Sequence, residues 1–431
     1  VMKRLAAERR EREKKRKGSP EGSDALDSPA SANGKLGSGK KGKQAKAAKA
    51  PPRPALDIKN DARAAEVAKM WRKSAELDAC AVCGEPEALR ELPDDRVENA
   101  LYAAAGATIV DSAEQVFAET DLVVKVKEPQ AQECRWLRPG QTLFTYLHLA
   151  ADLKQARLLM DSGATCIAYE TITSQQGGLP LLAPMSLVAG RLSVQAGAHH
   201  LEVHKGGNGT LLGGVPGVAP AKVLVLGGGI VGSSALRVAL GMGADVTVID
   251  RSVAKLAELD EQYRGQLRTI YSTAESIEEF AREADLIIGA VLIPGASAPK
   301  LISAEMLRLL KPGTVLVDVA IDQGGCFETS YPTTHADPTY VVDDVVHYCV
   351  ANMPGAVART ATLALTNATL PFVARLASKG CRETLLSDKH FCSGLNVFEG
   401  QLTHQAVAEA LDKPWRRPSE VLRQSQHLRS A

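Results

Sequence analysis

VLVLGGGIVGSSALRVALGMGADVTVID, residues 223–250, decides the fold. An apolar run ends in glycines, passes into small residues with helical spacing, and resumes as a second apolar run closed by an acid. This pattern predicts strand, turn, helix and strand in that order. Residues 222–226 read as a buried strand, and Gly227, Gly229 and Gly232 complete GxGxxG before the helix SSALRVALGMG. Gly227 permits a tight turn, Gly229 lets backbone approach a pyrophosphate, and Gly232 lets helix and strand pack closely. The helix N-terminus then aims its unpaired N–H groups at a phosphate anion. Asp250 ends the next strand, 18 residues after Gly232, where a carboxylate accepts hydrogen bonds from an adenosine ribose. A purely structural glycine turn is the competing reading. The flanking strand, the helix and the distance to the acid favour a dinucleotide site. The Asp250 carboxylate repels a 2′-phosphate, which favours NAD over NADP, although Arg251 blurs that choice.

Outward from this stretch, strand-length apolar runs alternate with helical ones. DLVVKVKEP, QTLFTYLHL and GATCIAYETI read as strands, ADLKQARLLMDS as a helix, and LYAAAGATIV as a helix end feeding a strand. Such alternation predicts a parallel α/β sheet. PMSLVAGRLSVQAGAHHLEVH reads as a long helix with small residues on one face, followed by the glycine-rich loop GGNGTLLGGVPGVAP. A second α/β series runs to near residue 350, and GAVARTATLALTNATLPFVARLAS reads as another long helix before a smaller helical tail. Two long helices bracketing one α/β unit suggest a chain that leaves a first domain, builds a second and returns.

The 431 residues suffice for two or three cored domains, and 45% are apolar, within the globular range. No window approaches a membrane span, and the basic N-terminus lacks the apolar core of a signal peptide. Residues 1–54 hold 16 basic and 6 acidic residues, so the rest of the chain carries −9 of a total of +1. A mildly acidic body argues against nucleic-acid binding. Residues 1–55, rich in Lys, Ala, Gly, Ser and Pro, read as a disordered, solvated basic tail. Eight cysteines are scattered, with one CxxC at Cys80 and Cys83. A structural zinc site needs four ligands and no second pair has suitable spacing, so a loop thiol pair is the better reading. Scattered thiols in a chain this long fit a reducing compartment, and the cytoplasm is expected.

Ligands of such sheets lie beyond the carboxyl ends of the strands. Lys127 follows LVVKV, His148 lies near the end of TLFTYLHL, Asp322 closes GTVLVDVAID, and Asn352 follows VVHYCVAN. Each has a bland alternative: a solvated strand end, a satisfied core histidine, and two helix caps. Together a cation, an imidazole and an acid suffice for amino-acid or keto-acid redox chemistry.

Long motifs then carry a resemblance. LVVKVKEP, LFTYLHLA, AYETI, LLAPMSLVAGRLSVQAGAHHL, LLGGVPGVAPAKVLVLGGGIVG, GAVLIPGASAPKLIS, VLVDVAIDQGGCFE, PTY and YCVANMPGAVARTATLALTNATLP resemble the alanine dehydrogenase family, nearly without interruption from about residue 97 to about 415. The resemblance implies two Rossmann-like doubly wound domains, with the NAD-binding domain inserted in a discontinuous substrate domain. The expected boundaries are 1–55 for the tail, 56–93 unassigned, 94–183 and 355–415 for the substrate domain, 184–354 for the NAD-binding domain, and 416–431 for a C-terminal tail. It implies a homo-hexamer and NAD-dependent, reversible oxidative deamination of L-alanine to pyruvate and ammonia, in L-alanine catabolism.

By the same resemblance Lys127 binds the substrate carboxylate or carbonyl, His148 is the acid/base and Asp322 the second catalytic group. The implied NAD residues are Ser186, Gly227, Gly229, Gly232, Asp250, Lys255, Ser272, Val291, Leu292, Ile321, Asp322, Asn352 and Met353. The implied chemistry suits these types. L-alanine gives its Cα hydride to the coenzyme, water adds to the iminium, and the carbinolamine collapses. Imidazole as a class titrates near neutrality and suits these proton transfers, and a carboxylate stabilises a cationic iminium.

One family feature is missing. The family pattern PKE…N…RVA.TP, whose arginine joins the lysine in clamping the substrate carboxylate, has no match in residues 1 to about 93. Arg96 in DDRVENALY has the wrong neighbours. Either the N-terminus is incomplete or misassembled, or this is a divergent member with a higher KM for alanine and an exposed sheet edge. The alternatives in function are a soluble transhydrogenase-like NAD-binding protein and a catalytically impaired NAD-binding homologue.

Overall fold

The computed structural model describes residues 102–104, 106–291 and 298–429. The basic tail 1–55, the unassigned 56–93, the Cys80/Cys83 pair, Arg96 and Leu292 lie outside the described residues. The strand expected at the end of LYAAAGATIV does not form: residues 107–110 carry no strand pairing, and Ile109 is 44% exposed. An extended segment needs a buried face or a paired edge to become a strand, and among the described residues this one has neither.

Strands β1 (Leu122–Val124), β2 (Thr142–Thr145) and β3 (Thr165–Ala168) are parallel neighbours. Helix α1 (Leu153–Ser162) links β2 to β3; Asp152 caps it, accepting from the N–H of Gln155. Helix α2 (Ala183–His200) carries the chain to the second sheet, ending short of the expected residue 204. The second sheet holds β4 (Lys222–Leu226), β5 (Asp245–Asp250), β6 (Leu267–Tyr271), β7 (Leu286–Gly289), β8 (Val315–Asp318), β9 (Thr339–Val342) and β10 (Val345–Tyr348). Its order is β6-β5-β4-β7-β8-β10-β9, parallel except for β9 against β10. After the long helix Ala358–Lys379, β11 (Leu395–Phe398) and β12 (Gln401–Leu402) rejoin the first sheet, whose order is β1-β2-β3-β11-β12. The strands of one sheet therefore flank those of the other along the chain. Strand β1 lies at a sheet edge among the described residues.

The strands read as unbroken apolar runs because both sheet faces are covered. Alternation sorts each run into two cores. Val223, Val225, Val246 and Ile288 point to one core, Leu224, Leu226, Ile249 and Ile287 to the other. The first sheet does the same with Leu143 and Cys166 against Phe144 and Ile167. Each truncation of such a leucine to alanine costs about 2–5 kcal/mol.

The connections that matter for the site are α3 (Ile230–Gly241) after β4, α4 (Val253–Tyr263) after β5, α5 (Ala274–Glu283) after β6 and α6 (Ala358–Lys379) after β10. The small-residue face of α2 packs against α3. A Cβ at Gly190 would stand 2.2 Å from the Val231 carbonyl, and one at Gly197 would stand 2.5 Å from Leu286. Helix α6 also packs on α2, joining the two bracketing helices.

Candidate active site

Strand order reverses beside β4: β5 and β6 lie to one side, β7 and β8 to the other. In sheets of this kind the loops leaving the two strands at such a reversal diverge and open a crevice. The three motif glycines follow β4 at this reversal, and each answers a different constraint. Gly227 turns the chain at φ +100°, where only glycine is unstrained. A Cβ at Gly232 would lie 1.8 Å from the Gly227 carbonyl oxygen, so helix α3 and the loop touch backbone to backbone. A Cβ at Gly229 would meet nothing within 4 Å. That open space faces the first turn of α3, where Gly229 is the N-cap and no side chain caps the helix. Uncapped N–H groups beside a vacant, side-chain-free surface are what a pyrophosphate requires.

Asp250 closes β5, and its carboxylate braces the loop: Oδ2 accepts from the N–H of Gly228 at 2.6 Å and Oδ1 from the N–H of Ser252 at 2.7 Å. The remaining lone pairs are available to ribose hydroxyls. Ser272 follows β6 and donates its N–H to the Asp250 carbonyl at 3.0 Å. Val291 follows β7, Ile321 and Asp322 follow β8, and Asn352 and Met353 follow β10, so the described sites line one edge of the sheet. Met353 is buried in the core beneath. The Asn352 carbonyl accepts from His335 Nε2 at 2.8 Å. Ser186 lies one turn before Gly190, whose backbone abuts the start of α3. Lys255 stands beside Gly228 but pairs with Glu258 at 2.8 Å.

Lys127 and His148 come from the five-stranded sheet, just past the ends of β1 and β2. His148 is exposed, not the satisfied core histidine of the bland reading; its side chain is 48% accessible. Its backbone is left-handed, φ 47° and ψ 36°, a conformation that costs a non-glycine residue about 1–3 kcal/mol and persists only where neighbours impose it. Glu170 imposes it: Oε1 accepts from the N–H of His148 at 2.7 Å and of Leu147 at 3.2 Å. The imidazole stacks on Tyr146 at 5.8 Å, and Nε2 lies 3.5 Å from Glu128 Oε1. Beside it a cavity of about 400 Å³ is lined in part by Glu128, His148, Asp152 and Lys154 but by neither Lys127 nor Asp322.

Asp322 belongs to the other sheet. Strand β8 ends at Asp318, and Asp322 sits beyond it in the turn Ile321–Gln323, a short helical turn and not the strand end expected. The carboxylate touches water, yet protein fills much of the space around it. Desolvation therefore raises its pKa; the His148 charge, the N–H groups of Asp322 and Gln323, and the Lys127 charge pull it down. Charges on the five-stranded sheet thus bear on a carboxyl group of the seven-stranded one. Glu170, Glu128 and Tyr146 escaped sequence reasoning. Glu170 acts on backbone 22 residues away, and no spacing announces such a contact.

Similarity to known proteins follows the same outline. The N-terminal domain of the alanine dehydrogenase/PNT family matches residues 93–189, and its C-terminal domain matches residues 193–405. An alanine dehydrogenase of Halomonas elongata is 65% identical over 72% of this chain and 83% of its own length. One from Mycolicibacterium smegmatis is 51% identical over 83% of this chain and 94% of its own. A solved L-alanine dehydrogenase superposes with a TM-score of 0.70 at 49% identity, over 73% of this chain and 86% of that one. A transhydrogenase from Sinorhizobium meliloti, 24% identical over 72% of this chain and 86% of its own, with a TM-score of 0.59, shares the fold. The chain belongs to the alanine dehydrogenase/PNT family.

Proposed function

We propose that this chain catalyses the NAD-dependent, reversible oxidative deamination of L-alanine to pyruvate and ammonia. The observation that carries this reading is that Lys127, His148 and Asp322 each follow the carboxyl end of a strand, the first two beyond β1 and β2 and the third beyond β8. High identity to alanine dehydrogenases supports it. Bound NAD⁺ supplies the hydride acceptor. Gly227, Gly229, Gly232 and the first turn of α3 would hold its pyrophosphate, Asp250 its ribose, and Ser186, Lys255, Ser272, Val291, Leu292, Ile321, Asn352 and Met353 would serve its remaining surface.

Lys127 holds the substrate carboxylate or carbonyl as a point charge. His148 takes and returns the protons of water addition and of ammonia release. Asp322 faces the cationic iminium and orients the attacking water. We assign 94–183 and 355–415 to the substrate domain and 184–354 to the inserted NAD domain. The homo-hexamer implied by the family resemblance belongs to the same proposal, and light scattering tests it. A cytoplasmic location rests on the free thiols of the six described cysteines. Among the described residues no helix is long and apolar enough to cross a membrane.

The deciding assay is NADH oxidation with pyruvate. Dependence on ammonium supports the dehydrogenase. NADH binding without turnover points to the impaired homologue, and ammonia-independent hydride transfer between nucleotides points to the transhydrogenase-like reading. Asp250 predicts a lower Kd for NADH than for NADPH; equal values would undo that assignment.

A further inference from the structure

The segment bearing Asp322 is gripped by two opposite charges. Asp318, the last residue of β8, is fully buried. Its Oδ1 accepts from the N–H of Ala320 at 3.2 Å. Its Oδ2 accepts from the N–H of Cys326 at 2.8 Å, the N–H of Phe327 at 3.3 Å and the Ser330 hydroxyl at 2.6 Å. Gly325 makes room for this: a Cβ there would lie 2.6 Å from Asp318 Oδ2. Burial pushes the Asp318 pKa up, and the four donors oppose it. A buried carboxylate without such partners would be expelled or neutralised.

Lys300 grips the same segment. Its ammonium donates to the carbonyls of Gly324, Gly325 and Phe327, the latter two at 3.1 Å. The backbone around it is tied to the same segment, Ala298 N–H to the Gln323 carbonyl at 2.9 Å and Leu301 N–H to that of Cys326 at 2.7 Å. An anion thus gathers the N–H groups of residues 320, 326 and 327 and the Ser330 hydroxyl, and a cation gathers the carbonyls of residues 324, 325 and 327. Neither charge neutralises the other directly; each is consumed by backbone dipoles. The turn Ile321–Gln323 hangs between these two anchor sets.

We infer that Asp318 and Lys300 are positioning residues that fix the place of the Asp322 carboxylate. The inference rests on Asp322 being a catalytic group. A misplacement of about 1 Å costs about 10²-fold in rate, so loosening either anchor reaches the chemistry without touching the substrate.

Lys300→Met is the first test, because the side chain is exposed and its removal leaves the core intact. We expect turnover to fall about tenfold or more, with the Kd for NADH within about twofold of the native value because the glycine loop is untouched. Lys300→Arg, whose guanidinium can donate to the same carbonyls, restores most of the loss. Asp318→Asn turns an amide donor toward N–H groups that need an acceptor and lowers both turnover and melting temperature; should it not fold, the Lys300 pair carries the test. On an Asp322→Asn background, Lys300→Met has no further effect on turnover, since the two act through one group. Native turnover in Lys300→Met overturns the inference. So does an equal, additive loss in both backgrounds, which a merely structural role would give. Native turnover in Asp322→Asn alone defeats the catalytic reading of Asp322 and the inference with it.

Discussion

Gly229→Ala and Gly232→Ala differ by three positions and should separate binding from folding. At Gly229 the new methyl meets nothing within 4 Å. The backbone is extended, φ −65° and ψ −162°, which alanine adopts without strain. Two small stability effects oppose each other. Restricting the unfolded chain gains about 0.4–1 kcal/mol, and alanine is a poorer N-cap than glycine by a similar amount. The melting temperature should therefore hardly move. The methyl nevertheless occupies the space that phosphate oxygens must share with the first turn of α3. Losing one or two of those charge-assisted contacts, each worth about 1.5–3 kcal/mol, raises the Kd for NADH by about 10- to 100-fold. At Gly232 the methyl starts 1.8 Å from the Gly227 carbonyl oxygen and 2.9 Å from its carbon. Ordinary contact begins at 3.4 Å, so helix or loop must retreat by the difference. That exceeds the about 1–3 kcal/mol of usual overpacking, and the variant should melt well below the native chain. NADH fluorescence titration and thermal melting, run on both variants, give the comparison. A folded Gly229→Ala chain with native NADH affinity would refute the reading of this crevice as the pyrophosphate site.

His148→Ala and Asp322→Ala should each cut turnover by about 10²-fold or more; near-native rates in both would reject their roles. Lys127→Met should raise KM for pyruvate by about 10-fold or more, as loss of a charged hydrogen bond does, with NADH affinity unchanged in the same titration. Glu170→Gln loses the full carboxylate that holds the left-handed backbone at His148, and turnover should fall about tenfold with little change in NADH affinity; a native rate would remove Glu170 from the mechanism. Burial lowers the pKa of His200, His347 and His404 below 6.5. The unfolded chain therefore binds more protons than the folded one as pH falls through the window between the unfolded and the folded values. Stability is full above the unfolded value and declines below it, so melting temperature should drop from about pH 7 to about pH 5; a flat profile would contradict the buried, neutral state of these rings.

Much of this was legible along the chain. Residues 223–250 specify strand, turn, helix and strand by local chemistry, because glycine positions and hydrophobic spacing act within a few residues of one another. The alternating apolar runs likewise imply parallel sheets covered on both faces. Lys127, His148 and Asp322 stand out individually as polar groups ending apolar runs, and family resemblance joined them before geometry did. What no local pattern could hold was the second tier of contacts. Glu170 acts on the backbone of His148, and Lys300 reaches carbonyls 24 to 27 residues on. Both partners in these bonds are generic, a backbone N–H or carbonyl that every residue possesses, so no residue type marks the receiving end. The strand missing at 107–110 has the same cause, since a strand exists only with an edge to pair with, and that edge is supplied by distant chain. Sequence settled which chemistries this chain possesses and which segments fold locally around a dinucleotide. Only the packing of two sheets decides which charges can reach one another, because distances between groups on separate sheets depend on how every layer beneath them is stacked.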